Sequence, residues 1–471
     1  MAEPMLKFVH QPQERPVKRP AAQRRKDFGE IYEGFPLARA EEQAARCSQC
    51  GIPFCASHCP LGNNIPDWLR LAATGRLKEA YSLSSETNSF PEICGRICPQ
   101  DRLCEGNCVI NKDFKSVTIG AVERFITETA FSEGWVQPDM PVTEKRLSVG
   151  IIGSGPAGLA CAESLRSRGY EVHVYERQAE AGGLLRYGIP GFKLEKHVIS
   201  RRIELLQAQG VIFHLGQEIG AGKGALSFDE LQKRHHSLFL ATGVYKAKQA
   251  RVPGESLKGV VRALEFLCEA ENPEPALNSA GKRVVVIGGG DTAMDCVRSA
   301  IRQGAAKVTC VYRRDRSNMP GSRQEVLNAE EEGGEFMWLA APEEFIGCDH
   351  VESVRLKEMR LGVPDSDGRR AVEPTGQYSV LEADMVICAL GFDPEDLPAL
   401  WKRDDLAVTS WNTLKVTKNG YETSIPGVFA GGDIVRGASL VVWAIRDGRE
   451  AAKAIDHYLS TQSTQTSEGV L

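Results

Sequence analysis

Three observations predict an α/β chain with two Rossmann-like, parallel-sheet nucleotide-binding units behind a small α-helical unit. Short β-branched runs recur from residue 147 onward, each followed by glycine and a helical pattern. Two Gly-rich turns stand near residues 153 and 288. Eight of the 14 cysteines crowd into residues 47–108. Alternating strands and helices call for parallel sheets with helices on their faces. The predicted strands are 149–152, 172–175, 238–241, 284–287, 308–312 and 385–390. The units near 150 and 285 are two copies of one βαβ pattern. Between the cysteines, 37–46 and 65–83 carry apolar residues at helical spacing, which predicts the helical unit.

At 471 residues the chain is long enough for several cores. A net charge of −5 gives no general attraction to nucleic acid or anionic membrane. No basic segment followed by an apolar run opens the sequence, and no apolar stretch approaches the ~20 residues of a membrane span. The expected location is the cytoplasm, where dense cysteines point to metal or redox chemistry before disulfides. The first thirty residues, rich in Pro, Lys and Arg, read as an extended arm, either solvated or docked on a partner. Residues 460–470, rich in Ser, Thr and Gln, read as a disordered tail.

The first Gly-rich turn, Gly153-Ser154-Gly155-Pro156-Ala157-Gly158, follows a strand and opens a helix. Gly153 permits the tight turn, Gly155 lets the backbone approach a pyrophosphate, and Gly158 allows close helix-strand packing. The helix N-terminus then faces the phosphates. Glu176 ends the next strand, where a carboxylate accepts hydrogen bonds from ribose hydroxyls, so an unmodified adenine dinucleotide fits. The second turn, Gly288-Gly289-Gly290-Asp291-Thr292-Ala293, repeats the context, but its next strand ends in Arg313-Arg314. Two guanidiniums favour a 2′-phosphate. One acid-tagged site and one arginine-tagged site together predict FAD in the first and NADPH in the second. Hydride transfer between them needs no side-chain acid or base, so no catalytic residue is named.

The cysteines form two groups, Cys47-x2-Cys50-x4-Cys55-x3-Cys59-Pro60 and Cys94-x3-Cys98-Pro99-x4-Cys104-x3-Cys108. Eight thiolates suffice for two [4Fe-4S] clusters. Two all-cysteine zinc sites are the competing reading, although zinc sites favour paired Cys-x2-Cys knuckles and only Cys47 and Cys50 form one. His58 reads as a neighbour and not a ligand. The scattered Cys161, Cys268, Cys296, Cys310, Cys348 and Cys388 read as buried and inert.

Glu176-Arg177 followed by Gly182-Gly183-Leu184, then Ala241-Thr242-Gly243 and Gly431-Gly432-Asp433, resemble the marks of two-dinucleotide-fold flavoproteins. That resemblance implies that Arg177, Gly183, Leu184, Thr242, Gly243, Gly432 and Asp433 join the FAD site, with Asp433 at the ribitol. It also implies that the FAD domain (146–253 and 394–471) is split by an inserted NADPH domain (254–393), after an iron-sulfur domain (1–145). The run from Cys94 to Gly106, Val117-Thr118-Ile119-Gly120, Tyr187-Gly188-Ile189-Pro190, Phe192-Lys193-Leu194-Glu195-Lys196 and Asn318 to Arg323 resemble the small subunit of bacterial NADPH-dependent glutamate synthase. The resemblance implies an electron-input subunit that passes electrons from NADPH through FAD and clusters to a large subunit. That subunit would carry FMN and a further iron-sulfur cluster and make L-glutamate from L-glutamine and 2-oxoglutarate. Likeness to the dihydropyrimidine dehydrogenase electron-input domain implies one cluster on Cys47, Cys50, Cys55 and Cys108. It puts the other on Cys59, Cys98, Cys104 and a fourth ligand, Glu123 or Cys94. The alternatives are a stand-alone NADPH:ferredoxin-type or pyrimidine-reducing module, and a non-catalytic scaffold.

Overall fold

A computed structural model describes residues 5–222, 224–364, 370–417 and 420–468, with side chains through residue 462. The helical unit comprises α1 (Leu37–Ala44), α2 (Ile65–Ala73), α3 (Leu77–Thr87), α4 (Pro91–Ile97) and α5 (Ile119–Ser132). The apolar stretch expected over 65–83 becomes two helices because the chain turns at Gly75, whose φ of +72° lies in the left-handed region. Trp68, Leu69, Val122 and Ile126 are the centre of this unit's core. Trp68 is fully buried, and its indole N–H donates to Asn63 Oδ1 at 3.1 Å, so burial leaves no polar atom unpaired there.

The chain then forms β1 (Ser148–Ile152), α6 (Pro156–Arg166), β2 (Glu171–Glu176), α7 (Lys196–Ala208), β3 (Ile212–Leu215) and β4 (Ser237–Leu240). It leaves this sheet to build β5 (Val260–Arg262), β6 (Arg283–Ile287), α8 (Asp291–Arg302), β7 (Lys307–Tyr312), α9 (Arg323–Glu331) and β8 (Glu335–Trp338). An antiparallel layer of β9 (Ala340–Ile346), β10 (Ser353–Pro364) and β11 (Arg370–Glu382) precedes β12 (Met385–Cys388). The chain then returns with β13 (Val428–Ala430) and the long α10 (Val441–Glu468). The first sheet has the order β13-β4-β1-β2-β3 and the second β5-β12-β6-β7-β8, with every pairing parallel. The first unit is therefore split and the second inserted. The outgoing and returning connections run side by side as a two-residue ribbon, Lys246–Ala247 against Phe392–Asp393. α10 lies close on α6, and Gly448 permits this, because a Cβ there would collide with the Ala157 carbonyl oxygen.

Three expectations change. The N-terminal arm docks on its own chain. Lys18 pairs with Glu331 at 2.8 Å, Arg24 pairs with Glu332 at 3.0 Å, and Glu30 pairs with Arg96 and Arg124 at 2.6 and 2.7 Å. Charges read as those of a solvated segment instead find partners elsewhere in the chain, and Arg24, only 1% exposed, meets the fully buried Glu332. The expected disordered tail is helical through Glu468, since no Gly or Pro interrupts residues 449–468 and the Ser460 and Thr461 hydroxyls bond back to preceding carbonyls. Cys161, Cys296, Cys310 and Cys388 are buried as expected, whereas Cys268 and Cys348 are exposed.

Candidate nucleotide and cluster sites

Both Gly-rich turns are closed by the strand beside them. A Cβ on Gly153 would strike the Ala241 carbonyl oxygen, and one on Gly288 would strike that of Ala389, with φ of +105° and +150° respectively. Gly158 is held against the Gly153 carbonyl oxygen in the same way. Gly155 and Gly290, by contrast, cap α6 and α8 and face open space, which is the cradle a phosphate needs. Ala293, in the third packing position, is fully buried.

At the first turn, Ser154 donates to Glu176 Oε2 from its backbone N–H at 3.1 Å and its hydroxyl at 2.5 Å, while Gln178 N–H donates to Oε1 at 2.9 Å. The carboxylate is thus fixed before any ligand arrives. Arg177 stacks 4.6 Å above the Tyr245 ring and pairs with Glu395. Gly183 opens a short helix at Leu184, and a Cβ on it would meet the Gly155 Cα at 2.9 Å. Gly432, at φ +76°, starts the turn carrying Asp433, whose Oδ1 accepts from the Ser439 hydroxyl at 2.6 Å and whose carboxyl is pushed up by burial. Thr242 precedes Gly243, and its buried hydroxyl has no partner. An orphaned polar atom on a cavity wall fits a site built to meet a ligand's polar groups.

At the second turn, Ser322 N–H donates to Asp291 Oδ1 at 2.8 Å, tying the start of α8 to α9. Thr292 faces the cavity. Arg313 is exposed and Arg314 half-buried. Among the described residues neither has an acidic partner within ion-pair distance, and Arg314 Nε is buried without any. Two unpaired cations beside a cradle fit a phosphate-bearing ribose.

A cavity of about 940 Å³ lies against the first turn and against Asp291 and Thr292 of the second, while Arg313 and Arg314 stand outside its lining. It runs from the first turn, past Asp291 and Asp295 of the inserted unit, to Cys98 and Pro99 of the helical unit. Cys98 also lines a small adjoining chamber with Cys59, Cys94, Cys104 and Glu123. There the Cys59 thiol is pushed up to about 11 by burial, and Glu123 to about 8. Asn88 donates to Glu123 Oε1 at 3.2 Å and accepts from Cys94 Sγ at 3.6 Å, so both proposed fourth ligands stand in this chamber. Cys55 is pushed up to about 12 by burial and then by Cys108, Cys47 and Cys50, which gather around it as a separate group. Burial favours neutral thiols in the metal-free chain, so cluster assembly must release protons. Among the described residues no three ligating side chains close on a single metal ion. His58 bonds to the Phe54 carbonyl on the surface.

Residues 24–135 match the family described as dihydropyrimidine dehydrogenase domain II, 4Fe-4S cluster, and residues 147–448 match pyridine nucleotide-disulphide oxidoreductase. The chain is 57% identical over 471 residues to the glutamate synthase [NADPH] small chain of Azospirillum brasilense, covering 98% of this chain and 97% of that one. The chain belongs to the glutamate synthase small-chain family. The Escherichia coli small chain is 45% identical, with 98% of this chain and all of that one covered. The solved structure of Mycobacterium tuberculosis FprA in complex with NADPH shares the fold at a TM-score of 0.58 and 20% identity, over 68% of this chain and 86% of that one. The small-chain family thus joins an iron-sulfur unit to a flavoprotein-type pair of nucleotide units in one polypeptide. Sequence reasoning missed Lys193, Asp295 and Glu325, which line the cavity between the two nucleotide units. Lys193 and Asp295 fall in runs that carry the family resemblance, Phe192 to Lys196 and Gly288 to Cys296, but neither run signals that the two side chains meet; Glu325 sits in a helix whose pattern signals packing alone.

Proposed function

We propose that the chain is the electron-input subunit of a cytoplasmic glutamate synthase. It oxidises NADPH in the inserted unit and passes electrons by way of FAD and two [4Fe-4S] clusters to a large subunit. That subunit carries FMN and a further cluster and makes L-glutamate from L-glutamine and 2-oxoglutarate. The observation that carries this reading is the cavity that runs from the first Gly-rich turn, past Asp291 and Thr292 of the second, to Cys98. When bound, the flavin supplies the exchange between a two-electron hydride and the single electrons that clusters accept.

The chain's own residues bind, orient and insulate. Glu176 holds a ribose, and the N-termini of α6 and α8 face the two pyrophosphates. Arg313 and Arg314 select the 2′-phosphate. Cys47, Cys50, Cys55 and Cys108 hold one cluster; Cys59, Cys98, Cys104 and either Glu123 or Cys94 hold the other. The exit is read from the surface beside the first set, where Ile52, Phe54 and Val109 are exposed. Grouped apolar side chains around a redox centre suit a lasting protein partner. No helix among the described residues is long and apolar enough to cross a membrane.

The test is anaerobic purification, iron and flavin assay, and addition of NADPH or NADH. About eight irons per chain and bleaching much faster with NADPH are expected. Zinc instead of iron, or indifference to NADPH, would overturn the proposal. Glu123→Ala and Cys94→Ala then separate the two candidate ligands: the variant that loses about four irons has lost the true one.

A further inference from the structure

The wall that the inserted unit presents to the cavity carries three carboxylates, Asp291, Asp295 and Glu325. Among the described residues the same wall carries one cation, the exposed Arg323, so it stays net negative and by itself disfavours the strongly anionic NADPH. Each acid is matched by one cation from a different place. Arg102 of the helical unit lies 3.4 Å from Asp291, and Arg298 of the inserted unit lies 2.5 Å from Glu325. Lys193 of the first unit lies 3.0 Å from Asp295. The first pair is solvent-exposed and screened, and the second lies within one unit. Lys193–Asp295 alone is both buried, with side chains 14% and 7% exposed, and shared between the two nucleotide units. Its anchorage is firm on both sides: the neighbouring Phe192 is 1% exposed and stacks under Arg298 and Arg302 at 4.1 and 4.0 Å.

We propose that Lys193 is a positioning residue for NADPH, neutralising Asp295 across the junction so that the dinucleotide can lie along the first turn of α8 with the two units held at their working separation. This rests on the reading of the second turn as the NADPH site. Without the ammonium, Asp295 is left buried and uncompensated at the cavity wall. The inserted unit then both repels the nucleotide and loses its tie to the first unit.

The experiment is calorimetric titration of the flavin-loaded full chain with NADP+, which reads binding without turnover. Lys193→Met is expected to weaken NADP+ at least about tenfold. Lys193→Arg, which keeps the charge, should stay within about threefold of the parent. Lys193→Met with Asp295→Asn, which removes both charges, should recover to within about threefold. Binding by Lys193→Met within twofold of the parent overturns the proposal, as does a folded double variant that stays tenfold weak. Should Lys193→Met fail to fold, the double variant decides: recovery of both flavin loading and NADP+ binding supports the proposal, and failure of either overturns it. A parent chain that does not bind NADP+ would refute the second-site reading itself, which separates the two failures.

Discussion

The two nucleotide units are built from the same parts, yet they treat their ligands in opposite ways. In each, a glycine turn presses on the carbonyl of the neighbouring strand, Gly153 on Ala241 and Gly288 on Ala389. In each, that neighbouring strand ends in Ala-x-Gly with the glycine in a left-handed conformation, Gly243 at +70° and Gly391 at +94°. They diverge at the tip of the second strand. Glu176 is buried and fixed by three hydrogen bonds, whereas Arg313 is exposed and, among the described residues, free of acidic partners. A preformed buried acid holds a resident cofactor through fixed geometry. Unpaired exposed cations suit a substrate that must arrive and leave, because long-range attraction steers it without locking it.

The largest effect should come from breaking the fixed side. Glu176→Ala leaves the N–H groups of Ser154 and Gln178 without their acceptor, at about 1–3 kcal/mol each. Flavin retention after gel filtration is expected to fall about a hundredfold, with NADP+ binding unchanged. Arg313→Ala with Arg314→Ala should lower kcat/KM for NADPH about thirtyfold and leave NADH untouched, the remaining preference shrinking further as salt is added.

The units should also differ in acid tolerance. The first unit carries a ring cluster in which His214 stacks on Tyr175, His235 meets Tyr175 edge-on and His173 packs against both histidines, with Glu171 and Arg234 nearby. Burial, then His173, lowers His235 to about 4, below its ordinary 6.5. A depressed histidine means that the unfolded chain binds the proton first. Stability is therefore full above about pH 6.5 and is lost as the pH falls toward 4, by about 2 kcal/mol. Chemical denaturation across that range should show the loss, and His235→Phe should flatten it. The smallest effect sharpens the comparison. Thr242 stands where the second unit has Leu390, and its hydroxyl has no partner among the described residues. Thr242→Val should leave thermal stability unchanged and weaken FAD binding about fivefold, near 1 kcal/mol.

Much of this architecture was legible because its signals are local. The strand, glycine turn, helix and strand-end charge of each nucleotide unit lie within about 30 residues, and β1, β2, β6 and β7 fall where the pattern predicted. The short strands β5 and β13 carry too few residues for a pattern, and they exist because a neighbouring strand offers free hydrogen-bonding groups. The antiparallel layer went unread as well, since β11 is mostly exposed and shows little apolar alternation. The cysteine spacing announced metal chemistry, but the gathering of Cys108 around Cys55 depends on a tertiary turn that spacing cannot specify. Arg24 shows the limit from the other side. Its charge reads as solvent-facing until the buried Glu332 lies beside it, three hundred positions away.

That arm has a consequence for how the molecule is made. Lys18 and Arg24 leave the ribosome some three hundred residues before their partners Glu331 and Glu332. The arm can meet the helical unit early through Glu30, but Lys18 and Arg24 must wait for their acids while the helical unit and first sheet form. The docking of these two cations is a late event, joining an early segment of the nascent chain to a much later one. Loops of this span are slow to close. A bulky fusion at the N-terminus should burden that final step more than one at the C-terminus.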